Sequence, residues 1–404
     1  MRAKRTNWVS FRAGYARNSD GSWKDPPTRS VQNVKKQFLP ELPAKRAEAL
    51  RPYADTLLAA LVEQPQPPEV ARSVYDDILA VDPDCEAVRQ RLGEVKDGGA
   101  WLLAETARGK QRRTEIRTVV KGALESPIEF KPALAEENEA AWADHWTCGT
   151  TTPLVRVLGA GGTADCEAIA RLVCASGTAF AQIFGIEPKP AAQVKFYALQ
   201  GADVRAAFIA RFPDLDDARK KLFALAPGGG LPIPNSIVLF DADVAKRNDC
   251  AVRNAIALLL RDNFRVEMPC GWAYEGLGLY LTRELCGTRL TWYSLANPKT
   301  DALKAGLLAP DSNWMNEALT QLRTNGANAF VTAMTKPVAQ LDLQEMVLGY
   351  AFSAYLLEGR PDQAAEFLRQ CGAGKPWTDV CASVLGYAPH EMHERLVRWL
   401  QERK

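Results

Sequence analysis

Histidine is almost missing from this chain: there are three in 404 residues, His145, His390 and His393. No histidine-rich catalytic or metal centre can be assembled from so few. Also missing is any run of the roughly eighteen apolar residues that a membrane-spanning helix needs. The longest candidate, Ala255 to Leu260, is stopped by Arg261, Asp262 and Asn263, so no membrane association is expected and the chain reads as soluble. The amino terminus lacks the apolar core of a signal peptide, which predicts a cytoplasmic protein as the sequence is written, with export open if the true start lies elsewhere. No C-x-x-C pair occurs among the nine cysteines, Cys85, Cys148, Cys166, Cys174, Cys250, Cys270, Cys286, Cys371 and Cys381. An odd, unpatterned set predicts buried free thiols in a reducing compartment rather than a disulfide framework. Neither sign of charge dominates: 50 Lys and Arg against 48 Asp and Glu leave a net +2. That balance argues against a dedicated nucleic-acid binder, which concentrates basic residues on one face. The one basic run, Arg2, Lys4, Arg5, Arg12 and Arg17, precedes the first acid at Asp20 and reads as a mobile, solvated arm over residues 1–43. The Pro227-Gly228-Gly229-Gly230-Leu231 loop lacks the Gly-Lys-Ser/Thr ending of a phosphate loop, and no G-x-S-x-G nucleophile elbow occurs.

What is present is organised into helical and alternating stretches. Residues 44–110 read as helices over Ala44–Glu63, Glu69–Leu79 and Cys85–Lys96, separated by Pro65-Gln66-Pro67-Pro68 and Asp82-Pro83-Asp84. The phrase from Ala71 through Tyr75, Ile78-Leu79, Asp82-Pro83 and Ala87 to Leu92-Gly93 resembles a tetratricopeptide-type hairpin, although one phrase is too few for a superhelical array. A polar connector over residues 111–149 is expected next. From residue 150 strands and helices alternate: a strand at Leu154–Leu158, a helix at Ala164–Phe184 with an apolar face of Ile169, Val173, Phe180 and Ile183, and a strand at Val194–Leu199. A helix at Ala202–Phe212, a Pro/Gly loop at Ala226–Pro234 and a strand at Ser236–Phe240 follow. From residue 271 the pattern is helical to the end.

Two short motifs compete for attention. Gly159-Ala160-Gly161-Gly162-Thr163-Ala164 lies between a strand and a helix and matches G-x-G-x-x-A, the dinucleotide turn. The acid that should close the next strand is missing, since Val194–Leu199 ends at Gln200-Gly201-Ala202-Asp203, and a helix start explains the glycines as well. His390-Glu391-Met392-His393-Glu394 spaces its histidines by three and opens an amphipathic helix after Pro389, where surface histidines are the commoner outcome. His145, between Trp142 and Trp146, reads as part of an aromatic cluster.

The most informative stretch is Arg253-Asn254-Ala255-Ile256-Ala257, followed by Pro269-Cys270-Gly271-Trp272-Ala273-Tyr274-Glu275-Gly276-Leu277-Gly278-Leu279-Tyr280. It resembles the peptidase MA-like, or gluzincin, domain of bacterial proteins, in which one helix carries H-E-x-x-H and a Pro-x-x-Trp-x-x-Glu-Gly phrase opens the helix of the third ligand. Two histidines four apart share a helix face, and the glutamate between them activates the zinc-bound water. On the resemblance, Arg253 takes the first histidine position, Asn254 the base, Ala257 the second histidine, and Glu275 alone is kept. Arginine does not deprotonate to bind zinc, asparagine accepts no proton, and alanine offers nothing. The closing phrase Leu385-Gly386-Tyr387 through Pro389, Glu391, Leu396 and Trp399-Leu400 also resembles family carboxyl termini.

The resemblance, over residues 150–404, implies an α/β (α+β) fold with a gluzincin-like mixed sheet in residues 150–270 and a helical carboxyl-terminal subdomain in 271–404; the helical pattern of residues 44–110 adds an all-α amino-terminal domain. It implies a catalytically inactive pseudopeptidase with no bound metal or cofactor, acting as a peptide-binding, protein-binding or structural module. The expected cleft residues are Trp272, Tyr274, Glu275, Tyr280, Ser236 and Val238, with Ser236–Phe240 as an exposed edge strand. Arg253 is expected to face Glu275 where a metal would otherwise stand. The competing expectations are an active hydrolase built around Glu275 and a nucleotide-binding protein using the Gly159–Ala164 turn.

Overall fold

A computed structural model describes residues 8–12, 16–17, 23–24, 28–32, 42–64, 66–142, 146–187, 193–213, 215–225, 229–233, 236–293, 301–309 and 312–403. The chain divides into two compact units, residues 1–101 and 102–404.

In the first unit, where the sequence predicts a mobile arm, the described backbone holds β1 (Trp8–Arg12), β2 (Ala16–Arg17), β3 (Trp23–Lys24) and β4 (Thr28–Gln32). β1 pairs antiparallel with β4, and β2 with β3. Helices α1 (Leu42–Glu63), α2 (Pro68–Val81) and α3 (Glu86–Arg91) follow, packed around Ala54, Leu58, Ile78 and Val88. α3 stops five residues short of the expected Lys96, because Gly93 turns the chain with φ 72. The hairpin of β5 (Glu94–Asp97) and β6 (Ala100–Leu103) takes its place. Gly98 and Gly99, at φ 56 and 86, supply the two positive-φ residues that a tight hairpin turn requires.

The second unit begins with α4 (Ala104–Glu125), in the polar stretch expected as a connector. Its sequence is mostly charged or polar, but Ile116, Val120 and Ala123 are buried in the main core. Glu105 is held by Arg360 and Arg395, each at 2.6 Å. Then come β7 (Lys131–Pro132), α5 (Glu137–Trp142), β8 (Cys148–Thr151), β9 (Val155–Gly159), α6 (Thr163–Phe184) and β10 (Val194–Ala198). α7 (Ala202–Arg211), α8 (Asp217–Leu225), β11 (Gly230–Ile233), β12 (Ser236–Leu239) and α9 (Val244–Phe264) complete the sheet-bearing part.

The sheet order is β11-β12-β10-β9-β8-β7. The central strands β9, β10 and β12 run parallel, and β11, β8 and β7 are antiparallel to their neighbours. Alternation of side chains splits the apolar residues between two faces. Val157, Phe196, Ile237 and Leu239 pack with α6 and α9 residues such as Ile169 and Ala255. Leu158, Tyr197 and Val238 pack with Phe208 and Phe223 of α7 and α8. The protein is thus a mixed α/β structure.

Beyond α9 the chain is helical: α10 (Gly278–Cys286), α11 (Asp301–Leu308), α12 (Trp314–Thr335), α13 (Leu343–Gly359), α14 (Pro361–Gly372), α15 (Trp377–Val380) and α16 (Pro389–Glu402). α13 is buried along its length, which is the behaviour of a helix that is apolar on all sides. α4, α10, α12, α14 and α16 pack against it, and no described helix is long and apolar enough to cross a membrane.

Candidate functional site

Asp243 starts α9, its side chain accepting the Lys246 amide at 2.9 Å. From Cys250 to Ala257 every residue of this helix is buried, so Arg253 and Asn254 lie inside the protein. Glu275 comes from the next turn of chain, a π-helical stretch over Trp272–Leu277. Such one-turn π-bulges concentrate at functional sites. The stretch seats against α13 through glycine: a Cβ on Gly276 would fall 2.2 Å from the Gly349 carbonyl carbon.

The two side chains meet. Arg253 Nη2 donates to Glu275 Oε2 at 2.6 Å and to the Tyr274 carbonyl at 2.5 Å, and neither Arg253 nor Glu275 is exposed to solvent. Burial works to lower the arginine's pKa, but the adjoining carboxylate outweighs it and the net shift is upward. Its Nε and Nη1 find no hydrogen-bond acceptor among the described residues. The guanidinium instead lies against Gly278, where an added Cβ would stand 1.9 Å from Nη1, and under the rings of Tyr293 and Tyr274 at 4.8 and 5.4 Å. Both glycines of the Glu-Gly-x-Gly phrase therefore have a steric reason.

Tyr293 closes the arrangement, and nothing in the sequence pointed to it. Its amide donates to Glu275 Oε1 at 2.7 Å, and its hydroxyl donates to Asn254 Oδ1 at 2.8 Å. Burial pushes the hydroxyl's pKa well up, which keeps it a donor. The segment carrying it is fixed by Asp249, whose carboxylate accepts from Thr288 Oγ1 at 2.7 Å and from the Leu290 and Thr291 amides at 2.9 Å each. The Asn254 amide group is tied back to the Cys250 carbonyl at 2.8 Å. Cys250 itself is held as a neutral thiol, its pKa pushed up to about 12 by burial and by Asp249.

Outside this sealed cluster lies a cavity of about 280 Å³ lined by Pro232, Ile237, Asn254, Ala257, Arg261 and Tyr274, among others. It is bounded by the edge strand β11, by α9 and by the chain before the π-helical turn. Of the residues expected at a cleft, Tyr274 lines this cavity and Glu275 sits behind it.

The others go elsewhere. Ser236–Phe240 is not an edge: β12 is paired on both sides, with β10 and β11, and all four of its residues are buried. The Pro/Gly stretch expected as a loop supplies the edge strand instead. Val238 faces α7 and α8, and by alternation Ser236 shares that face, so Ile237 is the residue presented to α9. A strand's two faces differ by one residue, so Ile237 rather than Val238 takes the α9 side. Trp272 packs edge-on against Phe352 and Phe367 at 5.0 and 5.7 Å. Tyr280 donates to Glu358 Oε1 at 2.9 Å within the helical core.

The rival motifs have local explanations. Gly161 leaves room for Gln200, whose Nε2 would be 2.3 Å from an added Cβ and which donates to Asp165 Oδ2 at 2.8 Å. A carboxylate, Asp165, thus already stands in the first turn of α6. His393 contacts the Leu322 carbonyl at 3.1 Å and His390 is exposed; His145 lies outside the described residues. Among the described residues no three His, Cys, Asp or Glu side chains converge as metal ligands. No family model, curated protein or solved structure matches this chain.

Proposed function

We propose that this chain is a peptidase MA-like, gluzincin-type protein that has exchanged its hydrolytic centre for a structural ion pair and binds an extended peptide in the cleft between β11 and α9. The observation that carries the proposal is the buried Arg253–Glu275 contact at 2.6 Å. On the resemblance a metal ion would stand beside Glu275, and a guanidinium, protonated at every attainable pH, neutralises that carboxylate without coordinating anything. Asn254 accepts no proton from water, and its oxygen is already engaged by Tyr293.

The rest of the geometry favours peptide capture. An unpaired strand edge binds extended chains through main-chain hydrogen bonds, and β11 lies beside the helix that bears Asn254 and Ala257. Gly230 permits that approach, since a Cβ there would be 2.6 Å from Cys250 Sγ and 2.9 Å from Asn254 Nδ2. Pro232 removes one N–H from the edge, which limits indiscriminate strand pairing. Ala257 leaves open the space that a larger side chain would fill.

The test has two parts. Elemental analysis of the purified protein should show no stoichiometric zinc, and protein substrates should stay intact. Addition of extended peptides from a random library should slow amide exchange at residues 230–233. One zinc per chain, lost in Glu275→Ala together with peptide cleavage, overturns the proposal.

A further inference from the structure

We propose that Cys148 and Cys166 form a disulfide-closing site, at which a small disulfide oxidant such as oxidised glutathione converts the two thiols into a cystine tying β8 to the first turn of α6. This goes beyond the peptide-binding proposal and does not depend on it.

The backbone brings these two sulfurs together. Cys148 opens β8 directly opposite Gly159 of β9, and Cys166 is the fourth residue of α6. Their sulfurs stand 2.6 Å apart. That is far inside the separation that two non-bonded sulfur atoms keep, and close to the roughly 2.05 Å of a disulfide. Gly159 makes the meeting possible: a Cβ there would lie 2.9 Å from Cys166 Sγ and 3.2 Å from Cys148 Sγ, so the two sulfurs share the space that its side chain would take. Cys174 and Cys286 contact oxygens instead, the Thr152 hydroxyl and the Asn248 carbonyl. Cys270 and Cys371 also lie within thiol hydrogen-bond reach, and peptide mapping separates that pair from this one.

Exposure sets the order of events. Cys148 is half-buried and Cys166 is 1% exposed, so Cys148 is the thiol that meets the oxidant. Its sulfur attacks the disulfide, forming a mixed disulfide and releasing one thiol of the oxidant. Cys166 then attacks the Cys148 sulfur and releases the second thiol. Two protein thiols and one disulfide become one protein disulfide and two small thiols, with both protons carried off on the leaving groups. Burial, followed by the neighbouring Cys148, pushes the Cys166 thiol's pKa up. Thiolate is the attacking form, so closure by Cys166 is the slower of the two steps, and the incubation is carried on until the mixture of products no longer changes.

The experiment uses the full chain, reduced and then incubated with excess oxidised glutathione under native conditions. After alkylation and digestion without reductant, the peptides holding Cys148 and Cys166 should be recovered linked, unalkylated and two hydrogens lighter. The unfolding midpoint should rise by about 5 °C over the reduced protein. Cys148→Ser, and separately Gly159→Ala, should lose the linked peptide, with circular dichroism confirming that each is folded. The proposal is overturned if both cysteines are alkylated in the oxidised, then unfolded chain, if only a glutathione adduct of Cys148 accumulates, or if either cysteine links elsewhere.

Discussion

Replacing Arg253 with Met and Glu275 with Gln, singly and together, tests whether the ion pair is a unit. At 2.6 Å the attraction is on the order of 6 kcal/mol at an effective dielectric near 20, and removing two ions from water costs several kcal/mol each. The pair therefore contributes little net stability while coupling its members strongly. Arg253→Met leaves the carboxylate buried with the Tyr293 amide but no cation, and Glu275→Gln leaves a buried guanidinium whose Nε and Nη1 already lack acceptors. Each single change should cost about 3–5 kcal/mol, and the double variant should cost at least 2 kcal/mol less than the sum of the two. Loss of the Arg253 bond to the Tyr274 carbonyl is common to Arg253→Met and the double variant and cancels from the coupling. The assay is scanning calorimetry or urea unfolding followed by tryptophan fluorescence, with the transition of residues 102–404 fitted separately from that of the first unit. Additivity within about 0.5 kcal/mol would refute the reasoning.

Glycine substitutions should split by environment. Gly278→Ala drives a methyl group into Arg253 Nη1 and should destabilise by about 1–3 kcal/mol despite alanine's higher helix propensity. Gly122→Ala in α4, where a Cβ meets nothing within 4 Å, should stabilise by roughly 0.5–1 kcal/mol in the same unfolding assay. The acid limb of stability should trace to Glu139. Burial works to raise this carboxyl's pKa, but the two Arg156 bonds at 2.5 and 2.7 Å, the Glu136 amide and the Tyr197 hydroxyl outweigh it and bring the pKa down to about 2 from 4.5. A folded pKa below the unfolded one gives stability that is complete above pH 4.5 and lost as pH falls from 4.5 to about 2. Arg156→Met should flatten that window in unfolding midpoints recorded against pH, and an unchanged slope would count against the assignment.

The elements visible in the sequence are those whose signal is local. α6 begins at Thr163 and ends at Phe184 because Gly185 takes φ 60 there, and the apolar stripe Ile169, Val173, Phe180, Ile183 is the buried one. The meeting of Arg253 and Glu275 was expected from the resemblance alone, which sets both positions at one site, and the two side chains do meet. What local signal lacks is partnership between distant segments. A strand rich in proline and glycine reads as a loop until β12 pairs with it, and that pairing turns Ser236–Leu239 from edge to interior. α4 reads as a connector because charged residues fill most of its surface, and only contact with the core selects Ile116, Val120 and Ala123 as its inward side. Tyr293 follows no periodic pattern, and its role depends on Asp249 holding residues 288–291 some forty positions along the chain. Periodicity settled the type of elements with a strong local pattern, such as α6 and β9, and long-range packing settled the rest and which faces meet, because the free energy of a contact depends on neighbours that a local window never contains.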